Sequence, residues 1–126
     1  MQPQKCQHIL VVEDDTGFRR TVVRMLESAG FAVTAAQGFS DAMKAIETVD
    51  EISLLLADIE MPPGKPHGYS IGACARNHRR DLKIVYMTGR HEPDKFALFD
   101  RRSAVLLKPF TVNALVETIM AEFERV

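Results

Sequence analysis

Four apolar runs in this chain stop abruptly on groups that carry charge or donate a hydrogen bond. Ile9-Leu10-Val11-Val12 gives way to Glu13-Asp14-Asp15, and Leu54-Leu55-Leu56-Ala57 gives way to Asp58. The run closing at Met87 meets Thr88, and Ala104-Val105-Leu106-Leu107 meets Lys108. Each group alone has an ordinary reading: Asp58 as a turn starter, Thr88 as a turn hydroxyl, Lys108 as a solvated charge, the acidic run as a helix-start cluster. Together they have a chemistry. Carboxylates sharing a pocket repel and raise one another's pKa unless a cation enters, and the single charge of Lys108 is too little. A hard divalent ion with oxygen ligands fits, since no Cys or His ends a run to favour zinc. Mg²⁺ held by carboxylates keeps positions open for a phosphoryl group. Asp58 could then attack in line to form an acyl phosphate, with Lys108 neutralising the transferred oxygens and Thr88 donating to one of them.

That chemistry requires the four run ends to meet. The run before Asp58 is short, apolar throughout and followed by a proline-rich turn, which reads as a strand buried on both faces. Ile9 to Val12 reads the same way. Asp15 or Thr16 can cap the helix that follows, with Phe18, Val22, Met25, Leu26 and Ala29 at helical spacing and Gly30 as its stop. Phe31 to Ala36 is a shorter, less apolar strand suited to a sheet edge. Ser40 to Thr48 is a second helix, and Ile52 to Asp58 the third strand. Tyr69 to Asn77 is a small-residue helix able to pack closely on a sheet, although Gly72 costs it about 1 kcal/mol of propensity. His78 to Asp81 reads as solvated, Leu82 to Met87 as the fourth strand and Pro93 to Phe99 as a short helix. Ala104 to Leu107 is the last strand. From Thr111, an apolar stripe of Val112, Leu115, Val116, Ile119, Met120 and Phe123 marks a terminal helix.

Strand and helix alternate five times, the pattern of an α/β domain with a parallel sheet between two helical layers. Right-handed crossovers bring the carboxyl ends of all strands to one edge. Ligands bind outside that edge where the strand order reverses. In a flavodoxin-like order the first and third strands flank the reversal, placing Glu13, Asp14 and Asp58 together.

A chain of 126 residues, 46% hydrophobic and 26% charged, supports one soluble domain spanning 1–126 with a core from about residue 8 to 124. A net charge of -1 gives no pull toward nucleic acid or anionic membrane. Cys6 and Cys74 form neither a disulfide framework nor a metal motif, which fits reduced thiols in the cytoplasm. Met1 to His8 is polar, without the apolar core of a signal peptide.

The segments Ile9-Leu10-Val11-Val12-Glu13-Asp14-Asp15, Leu56-Ala57-Asp58-Ile59-Glu60-Met61-Pro62, Met87-Thr88-Gly89 and Leu107-Lys108-Pro109-Phe110 occur in this order. Over Ile9 to Phe123 the chain resembles the receiver (CheY-like) domain of bacterial two-component response regulators. The resemblance implies a doubly wound three-layer sandwich whose five parallel strands run in the order 2-1-3-4-5. It implies phosphorylation of the aspartate matching Asp58 by a sensor histidine kinase or phosphotransfer protein, and relay to a downstream protein. Apart from self-catalysed phosphotransfer and dephosphorylation, such a domain is not an enzyme. The resemblance further implies Mg²⁺ held by Asp14, Asp58, the backbone carbonyl of Glu60 and, through water, Glu13. Thr88 and Lys108 match the phosphate-sensing hydroxyl and lysine, and the Lys108-Pro109 bond is expected to be cis. A homodimer through the fourth-helix to last-helix face is common in the family.

The chain departs from the family pattern in three places. Val105 stands where an aromatic ring usually swings inward on phosphorylation. The loop Pro62 to Gly68 is longer than usual, and Arg90 to Ser103 is shorter. Glu60 and Arg90, each two positions beyond Asp58 and Thr88, are expected to flank the pocket mouth and pair across it. A phosphorylation-driven switch is the leading expectation. A constitutive protein-binding module that keeps the pocket but lost switching is the alternative, and a flavodoxin-like cofactor binder is disfavoured by the acidic first loop.

Overall fold

The computed structural model describes residues 7–62, 68–89 and 103–125. Its elements are β1 (His8–Val12), α1 (Thr16–Ser28), β2 (Ala32–Ala36), α2 (Phe39–Thr48), β3 (Ile52–Asp58), α3 (Gly68–His78), β4 (Lys83–Thr88), β5 (Ala104–Leu107) and α4 (Val112–Glu124). All strand pairs are parallel, in the order β2-β1-β3-β4-β5, as the alternation and the resemblance lead one to expect. The expected helix at Pro93 to Phe99, the Pro63 to His67 part of the long loop, Arg90 and Cys6 lie outside the described residues.

Side chains alternate across a strand, and the alternation divides the core in two. Leu10, Val12, Leu55, Ala57, Ile84 and Tyr86 pack on one face with Ala42, Ala45 and Ile46 of α2 and Ile71 and Ala75 of α3. Ile9, Val11, Leu54, Leu56, Val85, Met87 and Leu106 pack on the other with Val22 and Leu26 of α1 and Leu115 and Ile119 of α4. Both faces of β1, β3 and β4 are covered, which is why their sequences are unbroken apolar runs. Edge strand β2, polar in part, is only half-buried.

The ends of the helices carry the local signals. Asp15, rather than Thr16, caps α1, its Oδ2 accepting from the Phe18 N–H at 2.7 Å. Thr111 caps α4 through the Ala114 N–H at 3.0 Å. The small residues of α3 serve close packing: a β-carbon at Gly72 would collide with the Tyr86 hydroxyl, so the glycine makes room for a buried ring.

Two expectations need correction. Arg79, read as solvated, is partly buried and its guanidinium donates to the carbonyls of Ile46 at 2.9 Å, Val49, and Ile52 at 3.4 Å. It supplies donors to the last turn of α2, whose carbonyls have no partner within the helix. The stripe of α4 is also narrower than its apolar spacing. Leu115, Ile119 and Glu122 are the buried positions, whereas Val112 and Met120 are exposed. Glu122 can sit in that stripe because Arg125 Nη1 donates to both its carboxylate oxygens, at 3.0 and 3.1 Å.

Candidate functional site

Strand alternation decides which of the expected residues meet. Continuing β1 by one residue puts Glu13 on the α1/α4 face of the sheet, and continuing β5 puts Lys108 there too, with Asp58 at the end of β3 between them. The backbone fixes these positions: Glu13 N–H donates to Ala36 O at 3.1 Å, Ile59 N–H to Met87 O at 2.9 Å, and Lys108 N–H to Thr88 O at 2.7 Å. Lys108 Nζ reaches Glu13 Oε1 at 2.8 Å and Asp58 Oδ1 at 3.2 Å. Glu13 and Asp58 are buried, 1% and 2% exposed, so neither charge is screened well by water. Asp14 is exposed, yet Glu13, Asp14 and Asp58 each bring a carboxylate oxygen to within 4.8 Å of the others. The bond Lys108-Pro109 is cis, as expected.

The charges do not balance. Burial, followed by the Glu13 carboxylate, pushes the Asp58 carboxyl up to about 7, and the Lys108 ammonium only partly offsets this. Burial alone would lower the Lys108 ammonium, but its bond to Glu13 and the charges of Asp58 and Glu13 hold it above its usual value. An oxygen-only donor set with more negative than positive charge fits a hard divalent cation such as Mg²⁺.

Thr88 is buried, 1% exposed, and lies on the opposite face parity from Asp58. Its hydroxyl donates to Glu60 Oε2 at 2.6 Å, and the Gly89 N–H donates to Glu60 Oε1 at 2.9 Å. Glu60 N–H in turn donates to Asp58 Oδ1 at 3.3 Å. The turn after β3 thus links the Asp58 carboxylate to the end of β4. The expected pairing of Glu60 with Arg90 falls outside the described residues.

The sequence profile of the response regulator receiver domain matches residues 9–120. The chain belongs to this family. Receiver domains are signalling domains of two-component systems, not enzymes of the usual kind, and they bind Mg²⁺ at an acidic pocket. The response regulator receiver protein CpdR of Brucella abortus is 39% identical over 119 residues, covering 90% of this chain and 93% of that one. The sensor kinase CckA of the same organism is 29% identical over 121 residues, covering 93% of this chain and 12% of the kinase. A solved CheY-like receiver domain from Methanospirillum hungatei has a TM-score of 0.83 at 25% identity, covering 95% of each chain.

Sequence reasoning missed four supports of this receiver pocket. The Phe18 ring lies under Lys108, with Nζ 4.5 Å from its centroid, and packs edge-on against Phe110 at 5.7 Å. Its spacing places Phe18 in the apolar stripe of α1, and a cation over its ring face is attracted to it. Arg19 donates to the carbonyls of Glu13 at 2.8 Å and Asp14 at 3.4 Å, steadying the acidic loop. Gly68 starts α3 directly against the Asp58 carbonyl, where a β-carbon would collide with the oxygen. The fourth is the grip of Glu60 on Thr88 and Gly89. Only the helical spacing that puts Phe18 and Arg19 next to the acidic loop hinted at any of these. Among the described residues no helix is long and apolar enough to cross a membrane.

Proposed function

We propose that Asp58 is the phosphoacceptor of this receiver domain and that the chain relays a phosphorylation signal in the cytoplasm. The phosphoryl donor is a phosphohistidine of a sensor histidine kinase or phosphotransfer protein. A carboxylate oxygen of Asp58 bonds to phosphorus as the phosphorus–nitrogen bond breaks, and the electron pair leaves on the imidazole, which takes up a proton. Glu13, Asp14, Asp58 and the backbone carbonyl of Glu60 are the residues that would hold Mg²⁺, which supplies positive charge against the transferred oxygens. Lys108, already within reach of Asp58, provides a second positive charge, and Thr88 provides a hydroxyl donor for a phosphoryl oxygen. The observation that carries this reading is the buried Asp58 between Lys108 at 3.2 Å and two further carboxylates within 4.8 Å.

One chain then carries two separate jobs. Accepting the phosphoryl group needs the strand ends, the turn after β3 and the Mg²⁺ they would hold. Relaying it needs a surface that a downstream protein senses, without direct contact to nucleic acid or membrane, and with a homodimer as one available form. Incubation with beryllofluoride and Mg²⁺, or with a small phosphodonor and Mg²⁺, should load the wild-type protein and leave Asp58→Asn unmodified. Equal loading of the two proteins, or none of either, would refute the assignment.

A further inference from the structure

The Glu60 side chain engages the two donors at the end of β4, a contact that the phosphoacceptor chemistry does not call for. Its Oε2 accepts from the Thr88 hydroxyl at 2.6 Å and its Oε1 from the Gly89 N–H at 2.9 Å. Hydrogen bonds to a carboxylate are among the strong ones, and Thr88 is shielded from water. Two donors adjacent in sequence, converging on two oxygens of one anion, suit a phosphoryl group as well as a carboxylate. The chain fills them with a carboxylate of its own. The turn that delivers it is pinned at both sides, by Glu60 N–H on Asp58 Oδ1 at 3.3 Å and by Ile59 N–H on Met87 O at 2.9 Å. The donors therefore sit one short turn away from the carboxylate on which a phosphoryl group would arrive.

We propose that the Glu60 carboxylate is an internal occupant of the phosphoryl-oxygen donors, and that it must leave Thr88 and Gly89 before a phosphoryl group on Asp58 engages them. This inference rests on Asp58 being the phosphoacceptor and adds a regulatory residue to that site. When the occupant leaves, Thr88 and Gly89 exchange one anion for another, so the phosphorylated state gains less from them than it would from open donors. The apparent affinity for a phosphoryl mimic falls by the fraction of time the donors are open. A partner that draws Glu60 outward would raise the response without touching Asp58. Glu60 acts here as a positioning residue, through Thr88 and Gly89.

The test compares ¹⁵N-labelled wild type, Glu60→Ala and Glu60→Gln, first alone and then titrated with beryllofluoride at saturating Mg²⁺, with Asp58→Asn as the control. In the untreated protein the Gly89 amide resonance should move in Glu60→Ala, because it loses its carboxylate acceptor. The apparent beryllofluoride affinity should rise about tenfold in Glu60→Ala, equivalent to about 1.4 kcal/mol. It should rise less in Glu60→Gln, which keeps one acceptor oxygen. The gain should persist at about 1 M salt, where the Debye length is only about 3 Å. An unmoved Gly89 amide or an unchanged affinity overturns the inference. So does an equal gain in both variants that disappears in salt, which bare charge repulsion would produce. If the amide responds to Glu60 but no variant takes up beryllofluoride through Asp58, the phosphoacceptor reading has failed and takes the inference with it.

Discussion

At the junction of β1, β3 and β4 the side chains of Glu13, Asp58 and Thr88 are buried and bonded, whereas the flank formed by β5 and α4 leaves apolar side chains in contact with water. Glu13, Asp58 and Thr88 are almost fully covered, and each has a defined partner. Val105 and Leu107 are each 38% exposed, Val112 41% and Met120 40%. The first region must hold charges in a low-dielectric place, which tolerates little error because an unpaired buried charge is expensive. The second carries no such constraint, and it holds Val105, where the resemblance leads one to expect an aromatic ring. The acidic site is thus built where the sheet is fully covered, and the β5 and α4 flank keeps apolar side chains at the surface.

The sharpest way to break this comparison is Lys108→Ala. It removes the ammonium shared by Glu13 and Asp58, so phosphoryl uptake should slow by about 10²-fold or more. Without Mg²⁺ the protein should also lose roughly 1–3 kcal/mol of stability, below the full cost of breaking a buried pair because Lys108 is 22% exposed. Urea unfolding and the rate of phosphorylation by a small donor measure the two effects. A loss confined to either one would separate the structural from the chemical role of the lysine.

The next effect follows from Asp58 itself. Its folded pKa of about 7 lies above the ordinary value of about 3.9, so between these values the folded chain holds a proton that the unfolded chain has released. Asp58 therefore favours folding at low pH and loses that contribution as pH rises through about 7. In metal-free protein, wild type should lose stability relative to Asp58→Asn between about pH 4 and 7, then level off. Mg²⁺ must displace that proton, so its apparent affinity should climb by up to about tenfold per pH unit below 7 and flatten above it. Thermal unfolding and calorimetric titration across pH check both slopes.

A smaller effect tests the packing behind the site. Gly72→Ala gains about 1 kcal/mol of helix propensity but meets the Tyr86 hydroxyl, and overpacking costs about 1–3 kcal/mol. The variant should be net destabilised, and adding Tyr86→Phe should recover part of the loss. The smallest effect belongs to the other flank. Val112→Thr and Met120→Gln should each stay within about 0.5 kcal/mol of wild type and leave phosphoryl uptake unchanged. A large change from either would erase the contrast between the two regions.

The parallel sheet was legible because β1, β3, β4 and β5 are short apolar runs in a strand–helix alternation, whereas the order of its strands came with the resemblance to receiver domains. The acids, Thr88 and Lys108 were legible as site residues because each ends such a run, and topology alone sends those ends to one edge. What the runs do not encode is how side chains find partners beyond the strand. The guanidinium of Arg79 reaches carbonyls at the end of α2 from a segment that reads as polar surface. Glu122 occupies a buried stripe that its charge argues against, until Arg125 is placed beside it. Val112 and Met120 matched the apolar spacing of α4, but the stripe facing the sheet is narrow and they lie off its centre. The Glu60 grip was hidden for a similar reason, since nothing in the order of residues says which way a turn side chain will point.

The central claim, that Asp58 receives the phosphoryl group, is tested most directly by trapping the acyl phosphate chemically. The protein is treated with a small phosphodonor and Mg²⁺, reduced with borohydride, digested and analysed by mass spectrometry. Reduction of an aspartyl phosphate to homoserine at position 58, absent when Mg²⁺ is withheld, is the predicted result. Homoserine at another aspartate with position 58 intact would contradict the account.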